Sequence, residues 1–438
     1  MIAKIKRYFE IEERGSTIGR EVNGGIVTLL AGIYIVMVHP MIMSYAGMDP
    51  ARVFTSTAIA AGLGTLVMAF LGKLPIMLAP GMGINAFVAF TVCLGLGFHW
   101  SVAILAIFFG GLCFIVMSVT GLREKIIYAI PDTLKKAVAF GIGFFIAIIG
   151  LNNAGILNSG GGTPLAINAI TSGGPLVAII GLFLMFVLYA QKIPGSIFIA
   201  IIVAAIVGIP LGVTQIPEGF RFFSMPAAPY LPSDVIAGLH TVSLPQFFIV
   251  FLTLLIVEIF DTVATFAGLA EQSGLKDKNG NILNCKRALL SDAITTPIGA
   301  AFGATTVTSY IESSAGMAAG ARTGFASVIT GIGFLFALCF SSVFMLIPAA
   351  ATAPALIFVG FLMLGALAKT ELKELTVGLP VFMTVLMMVA SYDISKGLAY
   401  GFVTYILTMV FSKRIKEISI PTWVLGGIFL LYIFFSPK

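Results

Sequence analysis

Runs of about 17 to 25 mostly apolar residues recur along the whole chain, and that is the length at which an α-helix crosses a bilayer. A water-soluble core cannot absorb so many of them, so the sequence reads as a polytopic membrane protein. The chain is 59% hydrophobic and only 10% charged, with a mean hydropathy of +1.07. Cutting the runs at polar and Gly/Pro breaks gives about fourteen spans. They begin near residues 24, 53, 74, 100, 133, 174, 196, 245, 285, 306, 323, 345, 375 and 396. A shorter apolar tail covers 422–436, and the reading leaves open whether it crosses.

With the N-terminus inside, every Lys and Arg falls on the cytoplasmic side except Arg52, Arg221 and Lys396, with Lys438 unassigned. That asymmetry is the positive-inside pattern, and a miscounted span would scramble it. The net charge of +6 follows from orientation and requires no nucleic-acid partner. Residues 1–23 read as a cytoplasmic, amphipathic lead-in, too polar for the apolar core of a signal peptide. Cys93, Cys113, Cys285 and Cys339 show no CxxC or Cys/His spacing, so they read as reduced packing residues, and no metal or cofactor is expected.

A Pro-rich stretch around 215–244 separates two halves of about seven spans each. An odd number per half gives the halves opposite orientations, the arrangement of inverted-repeat transporters whose substrate sites lie on interrupted helices near the midplane. The third and tenth spans, "LPIMLAPGMGINAFVAF" and "TTVTSYIESSAGMAAG", each start extended, break at Pro80 or near Ile311–Glu312, and continue as Gly/Ala-rich helix. The expectation is a pair of half-helices, each preceded by a short strand, with irregular backbone buried in protein.

Three acids lie deep in apolar sequence. Glu258 and Asp261 share one helical face in "LTLLIVEIFDTVATFAG", and Glu312 lies in the tenth span. Ionisable groups within a membrane usually face a cavity or a partner. The plainer alternative is satisfaction by hydroxyls such as Thr262, Thr265 or Ser309. No membrane-embedded Lys or Arg is expected to neutralise them, and desolvation favours the neutral carboxyl, so a proton held there is a candidate coupling ion. Helix N-termini supply donors and carboxylates supply acceptors, which suits a small planar heterocycle stacked on Phe87, Phe260 or Tyr310, although each ring alone is more often packing. Composition does not separate a nucleobase from an amino acid.

The strings "IPDTLKKAVAFGIGFFIAIIGLNNAGIL", "LAPGMGINAF", "VEIFDTVATFAGLA" and "TVTSYIESSAGMAAGARTG" resemble, in order and over nearly the whole chain, the AzgA-like purine permeases of the nucleobase-ascorbate transporter superfamily. The resemblance implies an all-α membrane fold of two inverted seven-helix repeats. Its core domain would take spans 1–4 (24–130) and 8–11 (245–342). Its gate domain would take spans 5–7 (131–214) and 12–14 (343–413), followed by a tail at 414–438. It further implies proton-coupled purine uptake at the cell membrane and allows a homodimer. Carried over residue by residue, Gly83, Asn85, Glu258 and Glu312 would bind substrate, and Glu258 and Asp261 would carry the proton.

Two features depart from that pattern. His39 stands where this branch usually shows Asn, as a packing residue or a substrate-side hydrogen bonder. Asp393 and Lys396 read as a surface pair near the outer mouth. Against an enzyme, there is no HExxH, Asp-rich metal motif or phosphate loop, and "GMG" at 81–83 is too short for a nucleotide fingerprint. An anion exchanger would not place carboxylates at its site, and a channel does not need broken helices in two inverted halves. A sodium-coupled amino-acid carrier stays open on the residues alone.

Overall fold

The computed structural model describes the backbone of residues 2–160, 163–171, 173–272, 283–367 and 370–435. Lys276, Lys278, Lys369 and Lys438, and the last residue of the apolar tail, lie outside the described residues. The chain opens with α1 (Ile2–Phe9), α2 (Ile18–Gly32), α3 (Ile35–Ser44) and α4 (Pro50–Val67). The first broken segment is β1 (Leu78–Pro80) with α5 (Met82–Ala86), which runs on as wider π-helical turns to Gly95. Then come α6 (Trp100–Val119), α7 (Leu122–Ala129), α8 (Asp132–Asn153), β2 (Leu157–Gly160), β3 (Thr163–Ile167), α9 (Gly173–Ala190), α10 (Ser196–Gly208) and α11 (Pro232–Ile236). The second half holds α12 (Leu244–Gln272), α13 (Cys285–Ala301), β4 (Val307–Ser309), α14 (Ser313–Ala318) and α15 (Gly324–Ala337). It continues through α16 (Ser341–Met345), α17 (Ala349–Leu364), α18 (Leu375–Ser391), α19 (Ile394–Phe411) and α20 (Ile420–Phe435). Among the described residues, 7 helical stretches are long and apolar enough to cross a membrane, and shorter apolar helices account for most other spans.

Capping side chains fix several helix starts. Thr17 accepts from Arg20 N–H ahead of α2, Asp49 accepts from the N–H groups of Ala51 and Arg52 before Pro50 opens α4, and Thr323 accepts from Phe325 N–H ahead of α15. Each satisfies a backbone donor that the first turn cannot pair internally. The first membrane helix thus starts at Ile18 rather than near residue 24, and the lead-in is a short helix plus a turn.

That lead-in is fastened to the bundle where Arg14 donates to Lys73 O (2.9 Å) and Lys73 pairs with Glu10 (2.9 Å). At the start of α2, Glu21, fully buried, accepts from Arg322 N–H (2.8 Å), Thr323 N–H (3.2 Å) and the Thr323 hydroxyl (2.9 Å). Replacing Glu21 with Ala strands these donors, and we expect a loss of about 3 kcal/mol, read as a lower thermal midpoint in detergent.

The connection between α10 and α12 is also tied down. Arg52 pairs with Asp234 at 2.6 Å and lies 3.9 Å over the Tyr230 ring. The Leu231 N–H and then the Arg52 guanidinium hold the Asp234 carboxyl below its usual range. The β2–β3 hairpin, paired Leu157↔Ile167, is absent from the sequence reading.

The helices pack in two groups. In one, α15 lies on α2 and α4, α6 on α12 and α13, and α14 on α2; in the other, α8 lies on α17 and α18, α9 on α10 and α17, and α18 on α19. They meet where α8 touches α5 and α12. Phe260 of α12 also stacks edge-on against Phe402 of α19.

Candidate functional site

The two broken segments cross as an antiparallel pair, Leu78↔Ser309, Ala79↔Thr308 and Pro80↔Val307, in which every residue is buried. Pro80 has no N–H to give the ladder, so the pairing is short and each chain leaves it directly into helix. Gly81 N–H donates to Thr306 O (2.9 Å), Tyr310 N–H to Met77 O (3.0 Å), and Met77 N–H to the Ser313 hydroxyl (3.0 Å). The Tyr310 hydroxyl donates to Pro80 O. The expected strand-then-helix geometry is therefore present in both segments.

Glycine at 81 is a steric requirement. A Cβ there would stand 2.8 Å from Thr308 Cγ2 and 3.2 Å from Asp261 Oδ2. Gly81→Ala is expected to cost about 1–3 kcal/mol through this overlap. Adding Thr308→Ser, which deletes the offending methyl, should recover much of the lost thermal midpoint. A Cβ at Gly83 would meet Ile142 of α8 at 3.0 Å and Asp261 Oδ1 at 3.7 Å, so α5 starts against both α12 and the second helix group.

The acids gather around this crossing, each with at most 8% of its surface exposed. Glu312, just before α14, accepts from the Tyr34 hydroxyl at 2.5 Å. Glu258 accepts from Thr296 (3.2 Å) and Thr306 (3.1 Å), so hydroxyls do satisfy it, but not the ones expected. Asp261 lies beside Gly81 and Gly83, and among the described residues its carboxylate shows no hydrogen bond. Tyr310 stands within electrostatic reach of both Glu312 and Asp261.

The expectation of no cation near the acids is overturned. Arg123, assigned above to a cytoplasmic loop, is buried in the protein at 1% exposure and donates to Asp292 Oδ2 at 2.6 Å. Thr262 serves this pair, accepting from Arg123 at 2.9 Å, rather than Glu258. The Ser309 hydroxyl is buried with no partner and holds none of the acids. Phe260 packs on Phe402 and Phe429, and Phe87 lies in the main apolar core. Asp393 caps α19 through Ser395 N–H and Lys396 N–H and is 5% exposed, so it is no half of a surface pair.

Asn85 and His39 join one buried relay. Thr57 donates to Val53 O (2.6 Å), so its oxygen must accept from His39 Nδ1–H (2.7 Å), which leaves Nε2 as an acceptor. Thr305 meets both His39 Nε2 (3.4 Å) and the Asn85 amide with one hydroxyl proton. Both contacts are satisfied when Thr305 donates to His39 and the Asn85 NH2 donates to Thr305, which leaves the Asn85 carbonyl as the free acceptor; the opposite amide orientation leaves the buried NH2 unpaired.

A family model described as a permease family matches residues 19–400. The chain belongs to this permease family. It is a multi-pass membrane transporter and not an enzyme, as the four sequence motifs imply. Among related permeases, the guanine/hypoxanthine permease PbuG of Bacillus subtilis (strain 168) is 39% identical over 98% of this chain and 100% of its own. The adenine permease AdeP of Escherichia coli (strain K12) is 34% identical over 98% and 96%. The permease fold is shared with the transmembrane domain of the cyanobacterial bicarbonate transporter BicA (TM-score 0.64, 14% identity, covering 88% of this chain and 97% of that one). It is shared also with murine Slc26a9 in its inward-facing state (TM-score 0.63, 16% identity, 90% and 69%).

Proposed function

We propose that this permease carries purine nucleobases such as hypoxanthine, guanine or adenine into the cell together with protons, by alternating access. The observation that carries the reading is the Asp261 carboxylate beside the start of α5, without a hydrogen bond among the described residues, with Glu312 across the β1–β4 crossing. Relatives named guanine/hypoxanthine and adenine permease, similar over nearly their full length, support a purine as cargo. A purine presents ring N–H groups to Glu312 and Asp261 and can receive the backbone N–H groups of the α5 turn, with the Asn85 carbonyl accepting a further donor. Glu258 and Asp261 hold the proton, since removing buried charge lets the site move through low dielectric. In this reading about fourteen spans form two inverted repeats. The α2–α6 and α12–α15 group is the core, the α8–α10 and α17–α19 group is the gate, and the N-terminus is cytoplasmic.

Uptake of labelled hypoxanthine in cells lacking their own purine carriers tests this. Stimulation at low outside pH, indifference to sodium, and competition by adenine or guanine are expected. Competition by uracil alone, or dependence on sodium, would contradict it. The fold shared with bicarbonate and anion transporters gives a second reading, anion transport, which the buried acids at the crossing disfavour.

A further inference from the structure

Among the described residues, the buried Arg123–Asp292 pair is a charged cluster that the mechanism above leaves without a role. Arg123 sits on α7, in the short connection between α6 and α8, and so between the two helix groups. Its Nη2 donates to Asp292 and Thr262, its Nη1 to Leu289 O (3.0 Å), and its guanidinium lies 4.5 Å over the Phe114 ring. Among the described residues Arg123 Nε is buried without a partner, and Asp292 also has the Thr308 hydroxyl within reach. A buried pair satisfied this incompletely is weak grounds for stability, because apolar residues of similar volume often serve as well.

Its position relative to the α12 acids points to another use. Asp292 is one helical turn before Thr296, whose hydroxyl binds Glu258, and Thr262 directly follows Asp261. Among the described residues, Arg123 from α7 and Asp292 from α13 both act on Glu258, Asp292 acts on Asp261, and Tyr310 after β4 stands by Asp261 with Glu312 beyond it.

We propose that the Arg123–Asp292 pair controls the charge faced by Glu258 and Asp261, with Arg123 a positioning residue carried by the α6–α8 connection. With the guanidinium seated, Arg123 offsets Asp292 where both act on Glu258. Relative motion of the two helix groups pulls on α7; as Arg123 withdraws, Asp292 becomes an extra anion beside the two acids and favours their protonated forms. The position of the connection and the loading of a proton then change together. This rests on the reading of Glu258 and Asp261 as proton carriers.

The test uses the full chain in proteoliposomes, with labelled hypoxanthine uptake measured against outside pH and transporter abundance measured in the same vesicles. Arg123→Met leaves Asp292 uncompensated, so the acid-stimulated limb should move up by about one pH unit. Asp292→Asn leaves the guanidinium uncompensated, so the limb should move down by a similar amount. The double variant should return close to the unsubstituted midpoint, and Arg123→Lys should stay near it. Normal abundance with unmoved midpoints, or both single variants moving the same way, overturns the proposal. If one single variant fails to reach the membrane, the other set against the double variant decides: a midpoint displaced in the single and restored in the double supports the proposal, and equal midpoints overturn it. Absence of hypoxanthine uptake by the unsubstituted chain would instead refute the proposed function.

Discussion

Glu312→Gln should raise the KM for hypoxanthine by about 10- to 100-fold while the protein stays folded in the membrane. The carboxylate receives the Tyr34 hydroxyl at 2.5 Å, which fixes one oxygen and leaves the other for a ring N–H of the base. A hydrogen bond to a charged group contributes about 1.5–3 kcal/mol, and each 1.4 kcal/mol is tenfold in affinity. Glutamine places an NH2 where one acceptor stood, so either Tyr34 or the base faces a donor. Tyr34→Phe keeps the carboxylate and removes only its anchor, so a smaller rise of about threefold to tenfold is expected. Initial-rate kinetics on both variants separate the two; equal effects would mean that Glu312 acts only through Tyr34.

Glu258→Gln should abolish accumulation against a gradient while preserving binding and exchange. Thr296 and Thr306 are both hydroxyl groups, able to donate to the amide oxygen or accept from the amide nitrogen, so the pocket tolerates the substitution. The amide cannot exchange a proton, and the neutral state becomes permanent. With one proton carried per base, a gradient of one pH unit supports about tenfold accumulation. The variant should instead equilibrate near a ratio of about one. Counterflow of preloaded hypoxanthine checks the retained half, and persistent concentrative uptake would remove Glu258 from the proton path.

The acids were legible in the sequence because Glu258, Asp261 and Glu312 interrupt apolar runs, where the cost of a charge demands an explanation. The strand-then-helix form of both segments was legible because each begins extended, breaks at Pro80 or near Ile311–Glu312 and goes on as Gly/Ala-rich helix, whereas the pairing of the two strands was not. Tyr34 was not: its hydroxyl meets a partner 278 positions away, and a tyrosine in an apolar span looks like packing. Asp292 was masked by the nearby Lys286 and Arg287, which make the start of α13 read as a cytoplasmic end. Arg123 was assigned to a loop because the positive-inside rule counts charges by position and does not sense a side chain that turns back into the bundle. The β2–β3 hairpin lies in Gly- and Asn-rich sequence with no periodicity to read.

The most direct measurement is proton movement itself. Purified transporter in vesicles holding a pH-sensitive dye, in sodium-free buffer, is given hypoxanthine with no imposed gradient. The lumen should acidify as the base enters, and Glu258→Gln should admit the base with no acidification. Base entry through the unsubstituted chain with no change in luminal pH would contradict the coupling of purine and proton at these acids.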